Sequence, residues 1–456
     1  SFCRTRDWYI QGYSGGHLRY AAHTEEAAFY ENSQKVTGEA VGWEGLLAHT
    51  AGNCKLLLVT QGRAETLQRA EEILSAFEAL ACAVGADQAI VCVKREYEAA
   101  AGAVEDCLGS DRFPHLKMHL LPGAYPMGDE VVLIYEATGR VIRPGGLPIE
   151  QGVIVFNVET MYNVSRALGK KAPVTRKLVT LAGEVREPKT IFLPLGTSLS
   201  DAIAAAGGAM IEDYAIIVGG PMMGREGRGT DPITRTTNAI LLLPRDHGLV
   251  ERMRAKISID LKRAASICCQ CRACTDLCPR HALGHPIEPH KFMRSAANRD
   301  FSDPEVFLDT FFCSSCGVCE LYACPQSLSP RTLIGAYKSG LRQAGVKPPA
   351  NPAVSPVDEA RDYRKVPEAR LEARLNLNAY HVPAPYSEEN YVPGKVREPL
   401  SQHIGAPAIA CVKEGDPVRE GQVIGRPAEG LSLPVHASID GRVSLVADKF
   451  IEVTAV

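Results

Sequence analysis

The sequence carries no excess of charge of either sign. Its 50 Lys and Arg residues stand against 53 Asp and Glu residues, which gives a formal net charge of -3. This balance argues against a protein-wide basic surface for nucleic acid or anionic lipid, so such a contact would need a local patch. We therefore expect no nucleic-acid partner.

Long apolar runs are also missing. No stretch approaches the ~18 consecutive apolar residues of a membrane-spanning helix. The start, SFCRTRDWYIQGYS, lacks the basic-then-apolar pattern of a signal peptide. These absences predict a cytoplasmic protein with no transmembrane segment of its own. The 45% apolar and 23% charged residues are typical of a globular protein, and 456 residues predict several domains.

The cysteine distribution does not indicate a disulfide framework, although the sequence has 15 cysteines. Nine fall within residues 268–324, eight of them in two regularly spaced groups, and this clustering favours metal ligation. The seven cysteines outside these two groups are scattered, and we expect most of them to be small buried hydrophobic residues. They are Cys3, Cys54, Cys82, Cys92, Cys107, Cys269 and Cys411.

The pattern of apolar residues changes along the chain. Short apolar runs alternate with 3.6-residue periodicity over 55–170, which predicts an α/β layer with a largely parallel sheet. Later segments predict one helix on a small mixed sheet, helices carrying the clustered cysteines, a linker rich in proline and charge, and a C-terminal set of β hairpins. In the α/β layer we expect helices over 67–80 and 157–168, and strands at LLLV (56–59), AIVCV (89–93), VVLIY (131–135) and VIVF (153–156).

The clustered cysteines form two similar groups. The first is Cys268-x2-Cys271-x2-Cys274-x3-Cys278, followed by Pro279, which is the spacing of bacterial two-cluster ferredoxins. In such proteins three thiolates bind one cluster and the fourth cysteine binds the other.

The second group is Cys313-x2-Cys316-x2-Cys319-x4-Cys324, with one extra residue before the last cysteine. We predict two 4Fe-4S clusters with exchanged fourth ligands. Cluster one would take Cys268, Cys271, Cys274 and Cys324, and cluster two Cys313, Cys316, Cys319 and Cys278. Two zinc sites or plain structural cysteines are the alternatives, although zinc sites usually pair two CxxC units.

Several further motifs carry a family resemblance between residues 125 and 330. The chain resembles the RnfC component of the Rnf-type electron transport complex and its shorter relative, the cobalamin reductase of propanediol-utilisation microcompartments. The motifs are YPMGDE (125–130), TGRVIRPGGLPIEQGVIVFNVETMYNV (138–164), VTLAGEVREPKTIFLPLGTSL (179–199), GGPMMG (219–224), CRACTDLCPRHALGHPIEPH and CGVCELYACPQSLSPR. The segments at 399–408 and 434–443 resemble the family's barrel-sandwich hybrid, which lies last here, as in the cobalamin reductases.

The resemblance implies a multidomain fold of α/β and α+β units. The expected units are a divergent N-terminal segment (1–55), a complex I flavoprotein-like FMN/NADH domain (56–172), a β-grasp SLBB domain (176–245), a ferredoxin-like helical 4Fe-4S dicluster domain (250–345), a linker (346–393) and a barrel-sandwich hybrid (394–456).

The resemblance also implies FMN, held by the segments matching YPMGDE and NVET. A turn at Gly128 and an ordinary helix start at Asn157 are the structural alternative. The implied flavin contacts are Tyr125, Gly128, Asp129, Glu130, Asn157, Glu159 and Thr160.

The sequence departs from the family in the glycine-rich loop that cradles phosphate and nicotinamide. The comparable segments here, GYSGGH (12–17) and TQGRAE (60–65), do not match it. NADH binding is therefore expected less firmly than the clusters, because a backbone phosphate nest depends on those glycines.

Together the motifs predict an oxidoreductase that passes electrons from NADH through FMN and two 4Fe-4S clusters to an acceptor, with a corrinoid as the leading candidate. A non-catalytic electron relay without an NADH site, or a component of an Rnf-type membrane complex, are the alternatives. Expected partners are a redox protein or corrinoid, and the enzymes or shell of a bacterial microcompartment. The expected location is the cytoplasm, inside such a compartment, or the cytoplasmic face of the membrane.

Overall fold

The computed structural model describes residues 8–12, 18–22, 55–60, 64–109, 111–402 and 405–456. Most of the expected N-terminal segment, including 13–17, and residues 61–63 lie outside the described residues. Two short strands, β1 (Trp8–Gly12) and β2 (Leu18–Ala22), pair antiparallel near the start of the chain.

The first large unit is a four-stranded parallel sheet, as the alternating pattern predicts. Its strands are largely apolar because helices cover both faces. The strands are β3 (Lys55–Thr60), β4 (Gln88–Lys94), β5 (Leu116–Leu121) and β7 (Val153–Asn157). The helices are α1 (Ala64–Val84), α2 (Glu98–Leu108) and α4 (Val158–Lys170) on one face, and α3 (Glu130–Thr138) on the other.

The VVLIY segment at 131–135 is helical, so the predicted strand is wrong. Asp129 caps the helix by accepting hydrogen bonds from the backbone NH groups of Val131 and Val132, and Gly139 ends it in the left-handed conformation. Residues 131–134 are all buried. An apolar run buried on every side has no periodicity that separates a strand from a helix.

The strand order β5-β4-β3-β7 contains a reversal of direction. The chain moves outward from β3 through β4 to β5, and then returns to place β7 on the other side of β3. In open parallel sheets, ligands bind beside the carboxyl ends of the strands at such a point. Here that position lies after Thr60 and Asn157.

The second unit is a six-stranded mixed sheet with one helix on it, which confirms the predicted arrangement. Its strand order is β11-β10-β12-β8-β9-β14. The helix is α5 (Leu199–Ala205), and Leu199, Ala202 and Ile203 join the apolar core of the sheet. The strands are β8 (Arg176–Gly183), β9 (Lys189–Pro194), β10 (Tyr214–Val218), β11 (Arg225–Gly227), β12 (Ala239–Pro244) and β14 (Tyr386–Ser387).

The third unit is helical and carries both cysteine groups. Its core includes the rings of Phe292, Phe307 and Tyr337, with Phe307 stacked on Tyr337 at 5.4 Å. Its helices are α6 (Gly248–Met253), α7 (Ile257–Ile267), α8 (Ala273–Asp276), α9 (Pro279–Ala282), α10 (Pro289–Asn298), α11 (Glu305–Leu308) and α12 (Pro330–Gln343), with a π-helical turn at Val318–Ala323.

The segment 346–393, expected to be a linker, is packed against three units. Its strand β13 (Val366–Pro367) pairs antiparallel with β6 (Ala124–Tyr125), and its helix α13 (Glu368–Arg374) contributes Leu371 to a core shared with the mixed sheet. Strand β14 extends that sheet beside β9.

The C-terminal unit consists of two small sheets around one core. Val396, Ile424, Ile439 and Ile451 lie in that core. The sheet orders are β15-β21-β20-β17 and β16-β18-β19. Their strands are β15 (Lys395–Pro399), β16 (Ile409–Ala410), β17 (Pro417–Val418), β18 (Val423–Arg426), β19 (Val435–His436), β20 (Gly441–Ala447) and β21 (Phe450–Ala455).

Within the part of the chain that the structure describes, none of the helices has both the length and the apolar character needed to cross a bilayer.

Candidate cofactor sites

The structure divides the eight clustered cysteines between two cavities. Cys268, Cys271, Cys274 and Cys324 line the first cavity. Cys278, Cys313, Cys316 and Cys319 line the second. Each cavity therefore combines three closely spaced cysteines with the last cysteine of the other group, which is the exchanged arrangement expected from the spacing.

The two cysteine loops share one backbone design. In the first loop the residues two and four positions after the leading cysteine, Gln270 and Arg272, have positive φ angles of 53° and 66°. In the second loop the equivalent residues, Ser315 and Gly317, have φ angles of 59° and 86°. These left-handed residues curl each loop, so that its three cysteines line one cavity.

Gly317 is needed for close packing as well as for its backbone angle. A Cβ atom at this position would lie 3.0 Å from the carbonyl oxygen of Met222. Met222 belongs to the GGPMMG motif, and its carbonyl also accepts a hydrogen bond of 2.5 Å from Arg331. The mixed sheet thus packs its 219–224 loop directly against the second cysteine loop.

The distances between cysteines suit a cluster better than a single metal ion. Four thiolates around one zinc ion lie about 3.8 Å apart, given Zn–S bonds of about 2.3 Å. Among the described residues, none of these eight cysteines belongs to a group of three ligand atoms that all lie within 4.8 Å of one another. Three cysteines at successive x2 spacings with an exchanged fourth ligand are typical of an iron–sulfur cluster.

The two cavities differ in their access to solvent. Cys316 and Cys319 of the second cavity are buried, whereas Cys271 of the first is exposed. Burial raises the pKa of Cys278 and Cys319, and a bound metal cation would favour their thiolate forms. The first cavity is therefore the more exposed of the two, and the second, called the interior cavity, is the more buried.

Two of the three histidines after the first cysteine group have structural contacts. His285 is buried, and its Nε2 atom lies 2.8 Å from the carbonyl oxygen of Ile142. Burial lowers the pKa of His285 to about 4. His290 Nδ1 lies 2.8 Å from Thr275 Oγ1. Among the described residues, neither these two nor His281 joins a metal-binding group.

The YPMGDE segment lies beside the second cysteine loop. Tyr125 donates a hydrogen bond of 2.7 Å to the carbonyl oxygen of Cys316. Asp129 accepts bonds of 3.2 and 2.9 Å from the guanidinium group of Arg280, two residues after Cys278. Gly128 is exposed and directly precedes Asp129, the residue that caps α3. The YPMGDE segment thus contacts the loop that carries Cys316 and also the short helix that follows Cys278.

Glu130 has an incomplete set of contacts. Its Oε2 atom is buried and has no hydrogen-bond partner among the described residues. Burial raises the pKa of Glu130 to about 7, opposed by the nearby charge of Arg280 and assisted by Asp129. Glu130 follows the carboxyl end of β5, and its unpaired Oε2 atom is suited to accept a hydrogen bond from a hydroxyl or amide group of a bound ligand.

The NVET segment lies at the carboxyl end of β7, where the strand order reverses. Asn157 caps α4 by accepting a hydrogen bond of 3.0 Å from the backbone NH of Glu159. Glu159 is buried and forms an ion pair with Lys177. Its carboxylate therefore fixes α4 to the mixed sheet, while Thr160 is half-buried in the first turn of the helix.

Two lysines near these segments were not predicted from the sequence. Lys177 neutralises Glu159, and Lys94, at the carboxyl end of β4, pairs with Glu368 of α13. Lys94 could have been found in the sequence, because a lysine at the end of a buried apolar strand indicates a special environment. The pairing of Lys177 with Glu159 could not, because only the fold brings the two residues together.

Family comparisons identify each unit of the chain. The matching models are the Nuo51 FMN-binding domain (57–166), the SLBB domain (178–226), the 4Fe-4S dicluster domain (267–329) and the RnfC barrel sandwich hybrid domain (387–455). They confirm the predicted fold class and the two predicted cofactors, FMN and 4Fe-4S clusters. The chain is therefore a flavin and iron–sulfur electron-transfer oxidoreductase.

Whole-chain relatives agree with the domain matches. The chain is 36% identical over 35% of its length to one component of the proton-translocating ferredoxin:NAD(+) oxidoreductase complex of Clostridium ljungdahlii, covering 33% of that component. It is 40% identical to cobalamin reductase PduS of Salmonella typhimurium over 85% of both chains. The corresponding protein of Citrobacter freundii is 39% identical over 88% of both chains. The chain thus belongs to the PduS family of cobalamin reductases.

Proposed function

We propose that this chain takes electrons from NADH and delivers them one at a time to a corrinoid. One NADH would reduce two Co(III) corrinoids to Co(II), yielding NAD+ and a proton. One observation carries the proposal. The YPMGDE segment (125–130), here called the flavin-type segment, contacts the second cysteine loop through the hydrogen bond from Tyr125 to Cys316. The activity printed for the relatives supplies the acceptor.

The proposed cofactor residues are the eight clustered cysteines and the residues of the YPMGDE and NVET segments. FMN would supply the conversion between two-electron and one-electron transfer, and the clusters would supply one-electron transfer. Cluster one would be held by Cys268, Cys271, Cys274 and Cys324, and cluster two by Cys313, Cys316, Cys319 and Cys278. FMN would lie against Tyr125, Gly128, Asp129, Glu130, Asn157, Glu159 and Thr160.

Among these residues, the described contacts favour different roles. Glu130 and Gly128 are best suited to touch the flavin, since one has an orphaned oxygen and the other is exposed. Glu159 is already paired with Lys177, and Asp129 with Arg280. These two carboxylates would therefore position the segments that hold the flavin.

The proposed direction of electron flow follows from burial. Tyr125 and Asp129 join the YPMGDE segment to the second, interior cavity, where Cys316 and Cys319 are buried. The first cavity opens at the surface beside Cys271 and Arg272. Arg263 extends to the carbonyl oxygen of Ser327 at 3.4 Å, near Cys324, and adds positive charge to the same surface. An acceptor would meet the chain there.

The proposed partners are a corrinoid and the enzymes or shell of a bacterial microcompartment in the cytoplasm. Membership of the PduS family supports this setting. Arg263 and Arg272 lie 3.9 and 3.7 Å from Asp260 and Asp276, and their exposed guanidinium groups would also contact an acceptor that carries a phosphate group, as cobalamin does.

The test uses the full chain purified without oxygen and reconstituted with iron and sulfide. We expect bound FMN, bleaching of the cluster absorbance on adding NADH, and reduction of aquacobalamin to the Co(II) form at two per NADH. Cys316→Ser should keep FMN but lose corrinoid reduction. Absence of FMN, or NADH-driven corrinoid reduction that survives in Cys316→Ser, would overturn the proposed path.

A relay without an NADH site is the second candidate. It is favoured by the sequences GYSGGH (12–17) and TQGRAE (60–65), which lack the family's glycine-rich loop. In that case dithionite would bleach both clusters and the reduced protein would reduce aquacobalamin, whereas NADH would do neither.

A further inference from the structure

Not all of the seven cysteines outside the cluster groups are small buried residues. Cys92 is buried, but Cys82, Cys269 and Cys411 are exposed. Cys107 is half-buried, and Cys3 and Cys54 lie outside the described residues. The expectation that most of these cysteines are buried is therefore wrong. Cys82 differs from the other exposed pair because a histidine and a carboxylate lie beside it.

Three side chains of different chemistry converge at Cys82. Glu78 and Cys82 are one turn apart on α1, and His115 lies directly before β5. The Cys82 sulfur lies 3.7 Å from His115 Nδ1 and 3.9 Å from Glu78 Oε1, and His115 Nδ1 lies 2.5 Å from the same carboxylate oxygen. Among the described residues, this is the one group of three whose ligand atoms lie within 4.8 Å of one another.

We propose that Glu78, Cys82 and His115 bind a zinc ion, at a site separate from the flavin and the clusters. A thiolate, an imidazole and a carboxylate are all zinc ligands, whereas calcium and magnesium select oxygen. Tetrahedral zinc with bonds of about 2.0 to 2.3 Å places its ligand atoms about 3.3 to 3.7 Å apart. The two distances from sulfur already lie close to this range, and the His115 to Glu78 distance must widen by about 0.8 Å.

The burial of the Glu78 carboxylate favours a bound cation over a plain ion pair with His115. The Glu78 side chain is only 13% exposed, and its Oε2 atom is buried without a hydrogen-bond partner among the described residues. A bound cation would compensate that oxygen. His115 is 49% exposed, so water or another small ligand can reach the fourth position of the metal.

The location separates this site from electron transfer. His115 precedes the amino end of β5, whereas YPMGDE and NVET follow the carboxyl ends of β5 and β7. The zinc ion would join α1 to the residues before β5, at the amino ends of the strands of the parallel sheet. Its effect can therefore be measured without reference to oxidoreductase activity.

The experiment measures alkylation of Cys82 in the cluster-loaded full chain under anaerobic conditions. N-ethylmaleimide is added with zinc chloride alone or with zinc and a chelator, and each cysteine peptide is quantified by mass spectrometry. Bound zinc should slow labelling of Cys82 about tenfold at free zinc about ten times the dissociation constant, because only unliganded thiol reacts. The chelator should restore the rate.

Matched variants decide whether all three residues act together. His115→Ala and Glu78→Gln should lose the protection at the same zinc concentration, while Cys411 serves as an exposed thiol whose labelling zinc leaves unchanged. Buried Cys92 should stay unlabelled in each variant, which shows that the α/β layer remains folded. Equal labelling of Cys82 with and without zinc, or full protection in folded His115→Ala, would overturn the proposal.

Discussion

The hydroxyl group of Tyr125 donates a hydrogen bond of 2.7 Å to the backbone carbonyl of Cys316, 191 residues later in the chain. Burial raises the pKa of Tyr125, so its hydroxyl remains a donor across the physiological range. This bond joins the segment assigned to the flavin directly to a residue assigned to the interior cluster.

Tyr125→Phe should slow NADH-driven reduction of the clusters by up to about fivefold. The variant removes one buried hydrogen bond, worth about 1 kcal/mol, without removing the ring. Stopped-flow absorbance would give the rate, and iron content and dithionite reduction should be unchanged. Tyr363→Phe is the control, because Tyr363 is 92% exposed. Equal rates in the two variants would show that the bond does not support electron transfer.

Cys278→Ser and Cys324→Ser should each remove the cluster of the other cysteine group. Each variant should retain half of the iron. The paramagnetic resonance spectrum of reduced Cys278→Ser should match that of Cys316→Ser, because both lose cluster two, and Cys324→Ser should match Cys271→Ser. The opposite pairing of spectra would show that each group keeps its own fourth ligand.

Arg272→Gln should weaken electron transfer from the reduced protein to an anionic acceptor. Arg272 lines the exposed cavity and is 53% exposed. One charge about 10 Å from ferricyanide contributes about 1 kcal/mol in water, so we expect a rate roughly twofold to tenfold lower at low ionic strength. High salt should remove the difference. Arg419→Gln, an exposed change in the C-terminal unit, should have no such effect, and a salt-independent loss in Arg272→Gln would contradict the electrostatic explanation.

Glu398→Gln should make the C-terminal unit less sensitive to alkaline pH. Burial raises the pKa of Glu398 to about 8, opposed by hydrogen bonding from Ser438 and by Arg235. The folded chain thus keeps a proton that the unfolded chain releases above pH 4.5. Stability from this group is present below pH 4.5 and is lost as the pH rises toward 8.

Calorimetry from pH 5 to pH 9 would measure this difference in the thermal midpoint. The variant should match the native protein most closely at pH 5 and exceed it most at pH 9. Glu429→Gln, which changes an exposed carboxyl in the same unit, is the control. Parallel curves for Glu398→Gln and the native protein would refute the assignment.

The sequence was informative where function constrains spacing. The intervals between cysteines predicted two groups with exchanged fourth members, and the structure brings Cys324 to the first loop and Cys278 to the second. Such intervals are readable in a sequence because the tight loop fixes which residues can reach one cavity. The left-handed backbone at Gln270 and Ser315 could not be predicted, since neither residue type requires it.

Tertiary packing accounts for what the sequence did not reveal. The VVLIY segment is buried on every side, so only the capping by Asp129 distinguishes helix from strand. The partners of Glu159 and Asp129 are likewise set by distant residues, Lys177 and Arg280. Exposure of Cys82 depends on the orientation of α1, which its residue type does not encode.

The packing of residues 346–393 has a consequence for the order of assembly during synthesis. Lys94 at the end of β4 pairs with Glu368, which leaves the ribosome 274 residues later, and β6 gains its partner β13 at the same stage. The edge of the α/β layer beside Tyr125 therefore stays open until both cysteine loops have been translated. The contacts of residues 366–368 with Lys94 and β6 can therefore form after the clusters have been inserted into the two cysteine loops.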